Sequence, residues 1–210
     1  MIQKEKYVWY ASYGSNLLEK RFLCYIQGGQ PEGSLKMHLG CNDKSLPIDK
    51  EAIYINRELY FAKNSNQWGG GVGFIRTNVD PRQRTLGRMY LITKEQFADV
   101  VMQEMNSEHS PSINFKKAIN DGSLTFEDGS WYGMVVYLGA KHEIPIFTFT
   151  HQENITPANK PGESYLKLVI KGIKETYGHL NTNEIVDYLI TKDGIKGNYS
   201  IKDLTILTEK

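Results

Sequence analysis

Glu104 occupies a position in the sequence that suggests proton-transfer chemistry. The segment Lys94–Met105 has helical periodicity, with Phe97, Val100 and Val101 at positions i, i+3 and i+4 of an apolar stripe. Glu104 takes the i+7 position, where the pattern requires an apolar residue. A carboxylate held in a dry pocket can exchange protons near neutral pH, so this spacing indicates a general acid and base. The alternative is that the last helical turn frays and lets the carboxylate reach water.

The second candidate is the turn Tyr13-Gly14-Ser15-Asn16-Leu17, which lies between a predicted buried strand and a predicted helix. Backbone N–H groups converge at such a turn, and the helix dipole adds partial positive charge there. The sequence therefore predicts a binding site for a carboxylate or a developing oxyanion. Two other interpretations stay open. Ser15 or Asn16 caps the helix and nothing binds, or Ser15 is a nucleophile, although the Gly-x-Ser-x-Gly pattern is absent.

The histidines and cysteines form no pattern typical of a metal site. The five histidines, at positions 38, 109, 142, 151 and 179, make no i, i+4 pair and stand beside no cysteine. Cys24 and Cys41 are the two cysteines, too few for a disulfide scaffold or a four-cysteine zinc site. We therefore expect no metal, and a reducing compartment.

Two further clusters have structural explanations. The glycine-rich tract at residues 69–73 fits neither a dinucleotide-binding nor a Walker pattern, and it precedes a predicted strand, so it predicts a turn on which Trp68 packs. Four arginines at positions 76, 82, 84 and 88 are typical of a solvated turn and strand face, because no aromatic RNA-binding motif accompanies them.

The composition is that of an ordinary globular chain. It has 210 residues, 40% of them hydrophobic, enough for a substantial core without stabilising disulfides. With 25 Lys and Arg against 24 Asp and Glu, the net charge is +1, so no bulk field favours nucleic acid or a membrane surface. We expect a soluble cytoplasmic protein with no nucleic-acid partner and no membrane contact. The sequence leaves the oligomeric state open.

Periodicity and turn signals predict a mixture of strands and helices without regular βαβ alternation. Strands are predicted at residues 7–13, 53–62, 71–77, 85–92, 131–139 and 144–150. Helices are predicted at residues 16–26, 94–105, 163–177 and 183–190, and residues 199–207 stay unassigned. Thr93 and Gln96 have the spacing of a capping box before the second of these helices. This order predicts an α+β fold with a curled or closed sheet.

Several blocks of the chain are similar to one known family. The run Tyr10-Ala11-Ser12-Tyr13-Gly14-Ser15-Asn16-Leu17-Leu18 resembles the Tyr-Gly-Ser-Asn-Leu signature of the γ-glutamylcyclotransferase superfamily. Residues 59–62 with 68–75 resemble its glycine-containing second block, and residues 86–92 its strand before the glutamate helix. Tyr165 and Gly172 resemble its final block.

The resemblance implies a small mixed β-barrel with packed helices at residues 1–178, with a C-terminal extension at 179–210 packed on the same domain. It implies a cofactor-free enzyme that cyclises a γ-glutamyl amine or amide to 5-oxoproline and a free amine. Glu104 would transfer the proton, and Tyr13 to Leu17 with Tyr165 would bind the substrate. In the family a glycine usually follows the glutamate, whereas Met105 follows here. The alternatives are a non-catalytic small-molecule binding module on the same barrel and a Ser15 hydrolase.

Overall fold

Eight strands and six α-helices form within residues 3–31, 37–126 and 129–209, which are the residues that this computed structural model describes. The strands are β1 (Tyr7–Ser12), β2 (Asp49–Ile55), β3 (Leu59–Ser65), β4 (Gly70–Ile75), β5 (Thr85–Thr93), β6 (Ser123–Thr125), β7 (Met134–Lys141) and β8 (Ile144–Thr150). The helices are α1 (Glu19–Gln27), α2 (Lys94–Met105), α3 (Phe115–Asp121), α4 (Glu163–Thr176), α5 (Thr182–Ile190) and α6 (Ile201–Glu209). The α+β class predicted from the sequence is therefore confirmed.

Six of the strands form one mixed sheet in the order β2-β5-β1-β8-β7-β6. Strand β1 lies in its interior, antiparallel to β5 and parallel to β8. Strands β3 and β4 form a separate antiparallel hairpin. In the described part of the chain β2 and β6 remain edge strands that do not pair with each other, so the hydrogen bonding does not close the six strands into the expected barrel.

Both faces of the sheet are buried, and the side chains of β1 alternate between the two cores. Val8 and Tyr10 point into a core that contains residues of α1, α2 and α3. Trp9 and Ala11 point into the other core, which contains the β3–β4 hairpin and helices α4, α5 and α6. The end of β1 is therefore a place where elements from both layers can meet.

Helix α2 is confirmed as predicted, with the same limits. The Thr93 side chain accepts a hydrogen bond from the Gln96 backbone, and the Gln96 side chain accepts one from the Thr93 backbone, which completes the capping box. Asn106 ends the helix in the left-handed conformation, with φ of 56°.

Two predicted elements differ from the structure, and two elements of the structure were not predicted. The single strand expected at residues 53–62 is two strands in different sheets, because the chain turns at residues 56–58 and β3 pairs with β4 instead of β5. The helix expected from Asn16 starts at Glu19, because Leu18 is extended and a short 3-10 turn precedes it. Helix α3 and strand β6 were not predicted, although Asn114 caps α3.

Helices α5 and α6 share the core of α4 and the hairpin. Ile185, Leu189 and Leu204 are completely buried in the same cluster as Tyr165 and Ile173. Residues 199–207, unassigned from sequence, belong mainly to α6. The domain limit at residue 178 stays a prediction. No helix in the residues that the structure describes has both the length and the apolar composition required to span a bilayer.

Candidate active site

A cavity of about 140 Å³ lies at the end of β1, between the two layers. Its walls come from the turn after β1, the last turn of α2, helix α1, the hairpin and the start of α4. A cavity of ~150 Å³ is enough for a small ring such as benzene, so this one can take the head of one small organic molecule. Both polar candidates from the sequence, Glu104 and the turn, contribute to its lining.

Glu104 is half-buried in the last turn of α2 and lines the cavity. The stripe that precedes it is completely buried, with Phe97, Val100 and Val101 at 0% exposure. The helix continues past Glu104 to Met105, so fraying does not release the carboxylate. Asn16 Nδ2 donates a hydrogen bond to Glu104 Oε1 at 2.9 Å, which fixes the carboxylate against the turn.

The turn after β1 supplies four of its five predicted residues to the cavity: Tyr13, Gly14, Ser15 and Asn16. The structure does not bring Leu17 there. Its side chain is 1% exposed in the hairpin-side core, away from the cavity lining.

The turn is also a poorer anion site than the sequence predicts. The Leu17 N–H donates to the Gly14 carbonyl, and the Leu18 N–H donates to the Ser15 carbonyl, so neither is free for a ligand. Because α1 begins only at Glu19, its positive dipole end lies beyond the turn. Backbone alone therefore supplies less positive potential than expected.

Arg21 supplies the positive charge that the backbone does not. It lies on α1, is 5% exposed and lines the cavity. Its Nε donates to Ser15 Oγ at 2.7 Å and its Nη2 to Tyr25 Oη at 3.4 Å. The guanidinium carbon lies 5.0 Å from the centre of the Trp68 ring, a cation–π distance. The cavity therefore contains one carboxylate and one guanidinium.

Sequence reasoning missed Arg21, although the signal was present. Leu18, Phe22 and Tyr25 have the i, i+4, i+7 spacing of an apolar helical stripe in the sequence, and Arg21 stands at i+3 of that pattern. Glu104 was identified by the same feature, a charged residue at a position where the helical pattern predicts an apolar one. Charged residues inside apolar stripes thus contribute to the cavity from two separate helices.

Tyr165 lines the cavity from the first turn of α4. Its hydroxyl accepts a hydrogen bond from the Gly73 N–H at 3.0 Å. A Cβ on Gly14 would lie 2.9 Å from that hydroxyl, and one on Gly73 would lie 3.3 Å from it. The glycines therefore leave the space in which the phenol sits.

Burial keeps the phenols around Glu104 protonated. Burial raises the pKa of Tyr10, and the negative charge of Glu104 raises it further. The pKa of Tyr25 is raised well above its ordinary value, first by burial and then by Glu104. Burial likewise raises the pKa of Tyr165, against hydrogen bonds from the Gly73 and Ser15 backbones. Neutral hydroxyls can donate or accept hydrogen bonds, which suits a polar substrate.

The surroundings of Ser15 do not favour a nucleophile. Its Oγ accepts a hydrogen bond from Arg21, and a guanidinium cannot act as a general base. His38 also lines the cavity, with its ring centre 4.0 Å from that of Tyr25. The nucleophile mechanism needs a base at the serine oxygen, and the group observed there is a cation.

The four arginines predicted to form a solvated face lie outside the cavity lining. Arg82 and Arg84 are exposed as expected, with Arg82 paired to Asp80 and Arg84 over the Tyr54 ring. The prediction was wrong for Arg88, which is buried because it forms ion pairs beneath the surface. Arg76 pairs with Asp193 and Glu58. Arg88 pairs with Glu175 and Glu19. In the described parts of the chain, no three His, Cys, Asp or Glu side chains lie close enough to bind a metal ion together.

The chain is similar in sequence to a curated plant protein. The chain is 37% identical over 201 residues to histone deacetylase 5 of Arabidopsis thaliana, a match that takes in 87% of this chain. It spans only 30% of the length of that relative, so the activity in the name is that of a much longer protein. No family model matches the chain.

The structure is similar to solved structures across almost its whole length. That of an uncharacterised human protein aligns over 96% of this chain and 99% of that chain, with a TM-score of 0.53 and 18% identity. That of a protein named gamma-glutamyl cyclotransferase aligns over 98% of this chain and 100% of that chain, with a TM-score of 0.49 and 17% identity. The likeness to the human protein shows a shared fold.

Proposed function

We propose that the chain is a γ-glutamylcyclotransferase-like enzyme that converts a γ-glutamyl amine or amide into 5-oxoproline and a free amine. One observation carries the proposal: Glu104 and the turn after β1 face the same cavity, joined by the 2.9 Å hydrogen bond from Asn16. The likeness of residues 10–18 to the superfamily signature supports the same chemistry.

The reaction is an intramolecular acyl transfer that changes no oxidation state. The α-amine nitrogen of the glutamyl group attacks its own γ-carbonyl carbon, a C–N bond forms, and the C–N bond to the leaving amine breaks. The proton lost by the attacking nitrogen is gained by the leaving nitrogen. Closure of a five-membered ring needs a held conformer and proton management more than an activated nucleophile.

Glu104 has the position for that proton management. In the proposed mechanism its carboxylate takes the proton from the attacking amine and returns it to the leaving nitrogen. Asn16 and the hydroxyl of Tyr25 hold the carboxylate in place by hydrogen bonds, and the hydroxyl of Tyr165 offers a donor to the carbonyl oxygen as charge develops on it. The cavity lining suits these roles, since the phenols stay neutral.

The sequence leaves two other functions open. A non-catalytic binding module would be favoured by a solvent-exposed Glu104, but the side chain is half-buried. A Ser15 hydrolase would require a base where Arg21 is found.

The test is the Glu104→Gln variant. Gln keeps the size and hydrogen-bonding shape of the side chain but removes proton exchange, which typically contributes roughly 100- to 10,000-fold to the rate. We expect kcat to fall by about that factor, measured as 5-oxoproline released from γ-glutamyl amines, γ-glutamyl dipeptides and glutathione by mass spectrometry.

Glu95→Gln is the matched control, because Glu95 lies exposed on the same helix. It should keep wild-type turnover. Full activity in Glu104→Gln, or no release of 5-oxoproline from any compound by the wild type, would overturn the proposal. A folded Glu104→Gln variant that binds these compounds as the wild type does, when neither turns them over, would support a binding module instead.

A further inference from the structure

Arg21 is a buried cation with an unsatisfied donor. Its Nη1 is buried and donates to no group in the part of the chain that the structure describes. None of the ion pairs formed by the described residues includes Arg21. The equally buried Arg88 differs in this respect, because it pairs with Glu175 and Glu19.

A buried guanidinium that forms no ion pair is costly, because it stays charged and has lost its water. The rings of Trp68 and Tyr25 offset part of that cost, with the guanidinium carbon 5.0 and 5.6 Å from their centres. Ser15 Oγ and Tyr25 Oη are neutral acceptors. A carboxylate on the ligand would be the complementary group for the unused Nη1 donor, since a carboxylate matches the planar donors of arginine.

A second unsatisfied group lies on the same cavity. Asn16 Nδ2 faces Glu104, and Asn16 Oδ1 is buried and accepts no hydrogen bond from the described residues. Together, Oδ1 and the carboxylate of Glu104 suit an ammonium or amine donor. The cavity thus presents an acceptor region at Asn16 and Glu104 and a cationic donor at Arg21.

We propose that Arg21 binds a carboxylate of the substrate, while Asn16 Oδ1 and the Glu104 carboxylate accept hydrogen bonds from the substrate amine. This inference rests on the proposed function and narrows the substrate to compounds with a free carboxylate near the reacting bond. The carboxylate belongs either to the glutamyl half or to the amino acid released from it. Both present the same group to Arg21, and the experiment separates them.

Three substrates distinguish which half of the substrate supplies the carboxylate that Arg21 binds. They are γ-glutamyl-alanine, its analogue with the glutamyl α-carboxylate converted to a carboxamide, and γ-glutamyl-ethylamine, which lacks the carboxylate of the leaving group. We expect Arg21→Gln to lower kcat/KM roughly 10- to 100-fold for substrates that carry the recognised carboxylate. The substrate without that carboxylate should be poor for the wild type and insensitive to the substitution.

Lys20→Gln is the matched control, because it removes one positive charge from an exposed position on the same helix. It should leave all three rates unchanged. An equal loss on all three substrates in Arg21→Gln would overturn the inference, because the arginine would then act through the structure alone. If Arg21→Gln does not fold, the ratio of the three wild-type rates still decides, and equal rates would refute carboxylate recognition.

Calorimetric binding of the same compounds separates this inference from the proposed function. If the wild type releases no 5-oxoproline, the proposed function fails, and binding is then measured on the wild type itself. If the wild type binds compounds with one of the carboxylates more tightly and Arg21→Gln loses this difference, the role of Arg21 would still be supported. Binding that ignores both carboxylates, or no binding at all, would refute it.

Discussion

Gly172 lies in the middle of α4, where the helix crosses the turn that carries Asn16. A Cβ at this position would lie 2.5 Å from both Leu17 Cβ and Leu18 N, and 2.7 Å from Leu17 C. Ordinary contact begins at 3.4 Å, so in Gly172→Ala the turn and helix must separate by about 0.9 Å at their closest atoms. The atoms in the way are backbone and Cβ, which cannot rotate aside.

Two effects of opposite sign determine the stability of Gly172→Ala. Alanine is favoured over glycine inside a helix by about 1 kcal/mol. Overpacking a well-filled interior costs about 1–3 kcal/mol. Because the clash involves main-chain atoms of a buried turn, we expect the overpacking cost to be the larger, with a net loss of about 1–2 kcal/mol in the free energy of unfolding.

The effect on activity should be larger than the effect on stability. A shift of the turn by almost 1 Å moves Asn16 relative to Glu104 on α2, and a misplacement of that size can cost about 100-fold in rate. Urea unfolding measures the first effect and 5-oxoproline release the second. Gly178→Ala is the matched control, because a Cβ there would meet only Lys174 O at 3.8 Å. Wild-type stability and turnover in Gly172→Ala would show that helix–turn packing does not position Asn16.

Three further predictions concern residues that line the cavity. Ser15→Ala should reduce turnover only in part, because Arg21 keeps its other contacts, and a serine-directed phosphonate should leave the wild type active; complete loss in a folded variant would indicate a nucleophile. Tyr165→Phe should cost about 1–3 kcal/mol in urea unfolding, since it leaves the buried N–H of Gly73 without its acceptor; unchanged stability would mean that another acceptor takes over. The folded-state pKa of Tyr10 is raised above its ordinary value of 10.0 by burial first and Glu104 second, so its stabilising contribution is complete below pH 10.0 and is lost as pH rises above it. Phenolate absorbance in the ultraviolet from this residue should appear only together with alkaline unfolding, and titration in the folded state would contradict that cause.

The local features of the site could be read from the sequence because they depend on neighbours along the chain. Helix α2 follows from its apolar period and from the Thr93 and Gln96 capping box. The same period identifies Glu104 as a charged residue in an apolar stripe. The apolar period of residues 18–25 identifies Arg21 in the same way. Such patterns determine which face of a helix is buried, whatever the rest of the chain does.

The strength of the predicted anion site was decided by backbone geometry that the sequence pattern does not fix. Gly14 and Ser15 accept the N–H groups that were expected to point at a ligand, and the helix begins at Glu19. The extended conformation of Leu18 separates the turn from the helix. One residue's backbone angles therefore move the positive end of the dipole away from the cavity.

The meeting of the candidate residues belongs to the tertiary structure alone. Asn16 and Glu104 are 88 positions apart, and Gly73 and Tyr165 are 92 apart. Their contacts exist because β1 pairs in the interior of the sheet while α2 and α4 cover its opposite faces, so that both layers end at one cavity. Periodicity assigns a residue to a face but carries no information on which distant face packs opposite, because that depends on the summed burial of the whole chain.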